Sequence, residues 1–186
     1  LHAQVELIHP VHGGNGRVGR LLVALYVHSK GLLERPVFYL SEYFEAHREE
    51  YIDCLNALHQ NPTAWDPWLL FFLRAVDEQA RENMRRAAAM QRLYKELQTE
   101  FPIITNSASC GLLLDAIFES PIFSKPIISG RIHEVNTATI HRMINSLLDA
   151  GILHMRTNGA GRRAATYQLR ELSLIAQGLP IERFDY

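Results

Sequence analysis

Two cysteines, Cys54 and Cys110, in a chain of 186 residues are too few for a disulfide framework. No apolar run reaches membrane-spanning length, and none forms a secretory h-region. These absences leave a globular, cytoplasmic chain without a membrane partner as the default. A composition of 47% hydrophobic and 21% charged residues can hold one or two modest cores. The pattern along the chain favours two domains, at 1–100 and 107–178.

The densest concentration of chemistry is His9-Pro10-Val11-His12-Gly13-Gly14-Asn15-Gly16-Arg17-Val18-Gly19-Arg20. Pro10 disfavours helical geometry at His9 and ends the helix read over Leu1 to Ile8. Gly13, Gly14 and Gly16 can take positive φ and let a ligand approach the backbone, and Asn15 tolerates such a bend. From Arg17 onward, Val18, Leu21, Leu22 and Leu25 recur at helical spacing, so the loop opens into a helix whose N-terminus carries partial positive charge. Arg17 and Arg20 lie three apart on its first turn. Two cations at the positive end of a helix call for an anion between them, and a di- or triphosphate meets that demand.

Other readings of the stretch are weaker. No Gly-Lys-Ser/Thr ending is present, which excludes a Walker loop. Gly14 to Gly19 is a formal Gly-x-Gly-x-x-Gly, with Val37 to Leu40 and Glu42 imitating a second strand and acidic residue. The strand that should run into the first glycine is missing. His9 and His12 as a metal pair have only Glu6 nearby to complete a site. A bland turn with surface arginines is the remaining alternative.

The stretch resembles the signature of the Fic family, His-Pro-Phe-x-(Asp/Glu)-Gly-Asn-Gly-Arg-x-x-Arg, matching at His9, Pro10, Gly14, Asn15, Gly16, Arg17 and Arg20. Val11 stands where the family has Phe, and Gly13 where it has the acidic residue that holds Mg²⁺. The resemblance implies a protein adenylyltransferase that moves AMP from ATP to a Ser, Thr or Tyr hydroxyl of a target protein. His9 would then be the base, Gly14, Asn15, Gly16 and Arg17 the phosphate cradle, and Arg20 its support. With Gly13 in the ligand position, Mg²⁺ would need another ligand or would be held by the nucleotide phosphates alone. The segment Leu40 to Tyr51 also resembles the part that follows the signature in bacterial Fic proteins, which implies Tyr51 as a neighbour of the adenine. The helices and the β-hairpin flap that precede the signature in the family are expected to be missing, which implies a fragment with impaired transfer.

The helix after the loop is read from Arg17 to about Leu33 and is apolar nearly all round, which predicts burial at the centre of a bundle. Ser41 is expected to cap a helix running to Gln60, closed by Asn61-Pro62. A long helix from Asp66 or Thr63 should end near Leu97, before Pro102. Alanines 87 to 89 within it suit a connecting helix or a homodimer contact, and the sequence does not choose.

From residue 107 the pattern changes. One helix carries Leu112, Leu113, Ile117 and Phe118; a short one covers Lys125 to His133; a third starts at Thr137, carries Ile140, Ile144, Leu147 and Leu148, and ends at Gly151. Ile152 to Thr157 and Ala164 to Leu169 read as strands around Asn158-Gly159-Ala160-Gly161, a hairpin signal. Three helices and a hairpin resemble a winged helix-turn-helix. Residues 121 to 170 hold seven Lys and Arg against two Asp and Glu, a net +5, whereas residues 1 to 120 are net −4. The basic excess sits where DNA phosphates would need it. In that case Thr137, Thr139, His141, Arg142 and Asn145 would face the groove, and Arg162 and Arg163 would reach from the wing.

The expectation is therefore a mainly α chain: a Fic-type helical bundle lacking its N-terminal part, followed by a small winged helix with a β-hairpin. The competing expectation is a DNA-binding transcriptional regulator whose Fic-like half is a sensor or scaffold.

Overall fold

A computed structural model describes residues 1–35, 38–161 and 163–181. Among them the chain is mainly helical, with one small antiparallel sheet. No described helix is long and apolar enough to cross a membrane. The chain divides into two compact units, Leu1–Asn83 and Met84–Tyr186.

The first unit contains α1 (His2–Ile8), α2 (Asn15–Ser29), α3 (Ser41–Ala46), α4 (Arg48–Gln60) and the first part of α5 (Trp65–Thr105). Its core gathers Ala3, Val23, Leu40, Tyr43, Phe44, Leu58, Trp68, Phe71 and Ala75. The loop before α2 owes its shape to Gly14, which sits at the helix cap with φ 82. That conformation is open to glycine at little cost.

Three expectations need correction here. α2 ends at Ser29, and only one of its faces is buried, through Asn15, Gly19, Val23 and Ala24. Val18, Leu21 and Leu25 remain exposed, so this helix does not occupy the centre of a bundle. Ser41 caps nothing: Leu40 takes the cap position, and no side chain bonds there. The single helix expected over 41–60 is broken at His47, whose φ of −116° and ψ of 39° leave the helical region between α3 and α4. The broken turn is held by His47 Nδ1, which donates to the Tyr43 carbonyl at 3.0 Å.

The division between units falls inside α5 rather than between residues 100 and 107. Leu93, Leu97 and Phe101, on the second part of that helix, are fully buried in the core of the second unit. This packing also carries α5 through Pro102, which was expected to stop it. Proline removes one backbone donor, but Phe101 and Thr105 on either side are buried. The Thr105 hydroxyl donates to the Phe101 carbonyl at 2.7 Å. Asn106, with φ 46, ends the helix and donates its N–H to the Pro102 carbonyl.

The second unit continues with α6 (Cys110–Glu119), β1 (Ile122–Ser124), α7 (Lys125–Ser129), α8 (Thr137–Asp149), β2 (His154–Thr157), β3 (Thr166–Gln168) and α9 (Arg170–Ala176). Ile140, Ile144 and Leu147 recur along α8 at i, i+4 and i+7 and are fully buried. Asn136 caps α8 by accepting the Ala138 N–H at 2.8 Å. The sheet runs β1-β3-β2, all antiparallel, with Tyr167 opposite Phe123 on one side and Met155 on the other. α7 is shorter than the expected Lys125–His133, and both hairpin strands are shorter than read. β1 and α9 were not anticipated.

Candidate functional site

His9 follows α1 in the left-handed region, φ 53 and ψ 55. A residue with a Cβ rarely stays there unless its surroundings impose it, and such positions cluster at working sites. Pro10 removes the helical alternative, and the His9 N–H closes α1 onto the Val5 carbonyl. The ring Nδ1 lies 3.3 Å from the Glu6 carbonyl oxygen. A carbonyl only accepts, so Nδ1 is the donor of this pair and Nε2 is the ring nitrogen left for a ligand.

Asn15 shapes the loop. Its side chain is buried and grips Val11 twice, accepting the Val11 N–H at 3.1 Å and donating to the Val11 carbonyl at 2.7 Å. Val11 itself is 44% exposed and is fastened through its backbone rather than through a side chain in the core. Gly13 is exposed, and a Cβ there would meet nothing within 4 Å. The Arg17 side chain is exposed and passes over Gly14, its Nη2 lying 3.5 Å from where a Cβ on that glycine would stand. Arg20 is half-buried, with Nη1 only 3.1 Å from the corresponding point on Gly16. The two arginines therefore flank the loop at different glycines.

Two neighbouring hollows meet at this loop. One, of about 210 Å³, is lined by Glu6, Gly16, Arg20, Phe44, Arg48 and Tyr51, among others. The other, of about 330 Å³, holds His9 together with Leu7, Leu55, Asn56 and His59. Glu6 and Ile52 border both. The structure thus brings Gly16, Arg20 and Tyr51 to one hollow and His9 to the next. Ile52, Asn56 and His59 were missed in the sequence. Their i, i+4, i+7 spacing along α4 would have found them had that helix been read for its exposed face. A larger apolar hollow of about 720 Å³ is walled by residues such as Trp65, Trp68 and Phe72. Its lining is almost wholly apolar, and the one imidazole there, His2, turns its Nε2 to the Tyr51 hydroxyl.

Tyr51 is tied inward. Its hydroxyl lies 3.2 Å from His2 Nε2, and its ring stacks on Phe44 with centroids 4.9 Å apart. Burial pushes its hydroxyl pKa up to about 12, so the group stays protonated and offers a ligand its ring rather than its oxygen. Burial also lowers His2 to about 4, which keeps that imidazole neutral at pH 7. The Glu6 carboxyl is raised by burial, against the opposing charges of Arg20 and His9.

The loop residues 9–20 contain no carboxylate, and among the described residues no cluster of three or more His, Cys, Asp or Glu could hold a metal ion. The donor set at the loop does not fit a protein-held Mg²⁺.

In the second unit, Thr137 and Arg142 on α8 are exposed, as is Arg163 on the hairpin, whose backbone bridges Ala160. Thr139 is half-buried. Arg162 lies outside the described residues. Two expected groove residues are otherwise engaged. Asn145 accepts from Lys125 Nζ at 2.6 Å, and His141 turns its Nε2 into the interior. No model of a known protein family matches the chain.

Proposed function

We propose that the first unit is a nucleotide-binding site of the Fic type that transfers AMP from ATP to a hydroxyl of a target protein. The observation that carries this reading is His9: held left-handed at the end of α1, with Nδ1 donating to the Glu6 carbonyl, it presents a free Nε2 beside a glycine loop flanked by Arg17 and Arg20. In this reading the backbone N–H groups at the start of α2 and the two guanidinium groups hold the phosphates. His9 Nε2 takes the proton of the acceptor hydroxyl, whose oxygen attacks the α-phosphorus. An oxygen–phosphorus bond forms as the bond from the α-phosphorus to the β-phosphate oxygen breaks, and pyrophosphate leaves with the electron pair. Tyr51, whose ring lines the hollow of Gly16 and Arg20, is in this reading the neighbour of the adenine, and the adjoining hollow at His9 takes the acceptor hydroxyl. Gly13 supplies no metal ligand, so no step is assigned to Mg²⁺.

Transfer of label from α-³²P ATP to protein tests the reading. The expected result is slow incorporation that His9→Ala and Arg17→Ala abolish. Incorporation that survives both substitutions would refute it.

A second reading concerns the other unit. Its order of helix, strand, two helices and a two-stranded hairpin suits a winged helix, and the exposed Thr137, Arg142 and Arg163 suit duplex DNA. In that reading, binding weakens steeply with salt and Arg142→Ala lowers the salt slope by about one. Salt-insensitive binding would reject it.

A further inference from the structure

Three side-chain atoms at the contact between α1 and α2 are buried without a hydrogen-bond partner: His2 Nδ1, Glu6 Oε1 and Arg20 Nε. Helical spacing puts His2 and Glu6 one turn apart, with His2 Nδ1 3.9 Å from Glu6 Oε1. Both rest on α2 where it has no side chain. A Cβ on Gly19 would stand 2.5 Å from Glu6 Oε1 and 2.8 Å from His2 Nδ1. On Gly16 it would stand 3.8 Å from the same Glu6 oxygen and 3.1 Å from Arg20 Nη1. The carboxyl of Glu6 and the guanidinium of Arg20 therefore face the same point above Gly16 without closing to an ion pair, and Glu6 Oε1 and Arg20 Nε stay without partners. Neither charge is comfortable there alone, because a buried ion needs an opposite charge or a full set of hydrogen bonds. Arg20 is also the largest influence opposing the burial that raises the Glu6 carboxyl.

We infer that Glu6 is a positioning residue for Arg20: facing the guanidinium across Gly16, its carboxylate holds that charge by attraction where a phosphate on the loop would meet it. This rests on the loop being a phosphate site. Glu6 touches no reacting atom and acts through Arg20 alone. His2 lies beside the carboxyl on the other side, with Nδ1 3.9 Å from Oε1, and the bare backbone at Gly19 admits both side chains.

A double-mutant cycle tests the inference. The Kd for ATP is measured by calorimetry for the wild type, Glu6→Gln, Arg20→Ala and the double variant. Glu6→Gln is expected to weaken ATP about fivefold when Arg20 is present and less than about twofold when it is not. An equal loss in both backgrounds would make Glu6 a packing residue and overturn the inference. Tighter binding by Glu6→Gln would also overturn it, because the carboxylate would then compete with phosphate for Arg20. Arg17→Ala separates the two levels. If the wild type binds ATP and Arg17→Ala does not, the site stands whatever Glu6 does. If the wild type binds no ATP, the proposed function fails and the phosphate role of Glu6 falls with it. Urea unfolding of the same four proteins then decides whether Glu6 and Arg20 are coupled at all: additive losses deny the coupling.

Discussion

Gly19→Ala is the sharpest test of how α1 meets α2. In an ordinary helix interior this substitution stabilises by about 1 kcal/mol. Here the new methyl would stand 2.5 Å from Glu6 Oε1 and 2.8–3.0 Å from the His2 ring. Glu6 Oε1 ends a flexible stem and can swing aside. The His2 ring cannot move cheaply: it is 4% exposed, stacked on Trp68 with centroids 5.7 Å apart, and bonded to Tyr51. Overpacking of such a site costs about 1–3 kcal/mol, and losing the His2–Tyr51 bond adds about 1 kcal/mol. The balance is a destabilisation of about 2 kcal/mol, or roughly 10 °C in Tm for a unit of this size. Both tryptophans, Trp65 and Trp68, belong to the first unit, so intrinsic fluorescence follows its unfolding selectively. Gly111→Ala at the start of α6 is the contrast, read by circular dichroism because the second unit holds no tryptophan: a Cβ there meets nothing within 4 Å, so no loss of stability is expected. A Gly19→Ala protein as stable as the wild type would refute the claim that His2 and Glu6 are lodged on that glycine.

Two further predictions concern stability. His2 is held near 4 against an ordinary value of 6.5, so between those values the unfolded chain binds more protons and stability falls as pH falls, by up to about 3 kcal/mol. Glu6, raised by burial, works in the opposite sense: its contribution is present at low pH and is lost as pH rises through its folded value. The Tm of the wild type should therefore drop more steeply than that of His2→Gln from pH 6.5 to 4.5, and parallel curves would exclude a buried neutral His2. Asn136→Ala removes the α8 cap and should cost about 1 kcal/mol, read by circular dichroism of the second unit; an unchanged midpoint would mean the cap contributes nothing.

Much of this architecture was legible because local signals agreed with packing. Pro10, Gly14 and the apolar spacing after Arg17 marked the turn and the helix after it, but α2 starts two residues earlier, at Asn15, and neither Gly13 nor Gly16 takes the positive φ that the sequence allowed them. The spacing of Ile140, Ile144 and Leu147 fixed the buried face of α8. What was not legible depended on contacts distant in sequence. Pro102 lies within a helix because Leu97, Phe101 and Thr105 are held by the second core. His47 breaks a helix through a conformation that no composition announces. β1 is three residues long and exists only by pairing with β3, with Ile122 opposite Gln168 and Ser124 opposite Thr166. At the candidate site the loop residues declared themselves by type. Glu6 and His2 did not, because a carboxylate and an imidazole on a short helix look like ordinary surface until Gly16 and Gly19 are seen beneath them.

The amide of Asn15 gives the loop a chemical lifetime. Asn15-Gly16 and Asn158-Gly159 are the same dipeptide, the sequence most prone to cyclise and lose ammonia. Asn158 is exposed in the hairpin turn, whereas Asn15 is buried at the start of α2 with its amide spent on Val11. Conversion to a carboxylate at position 15 would destroy the donor that closes the loop and set a negative charge where an anion is expected. Because the backbone must leave the helix for the ring to close, ageing at Asn15 proceeds only when the loop opens. The ratio of deamidation at the two sites, followed by peptide mass over weeks, is thus a clock for that opening, and a ligand held by the loop would slow one hand of it and leave the other running.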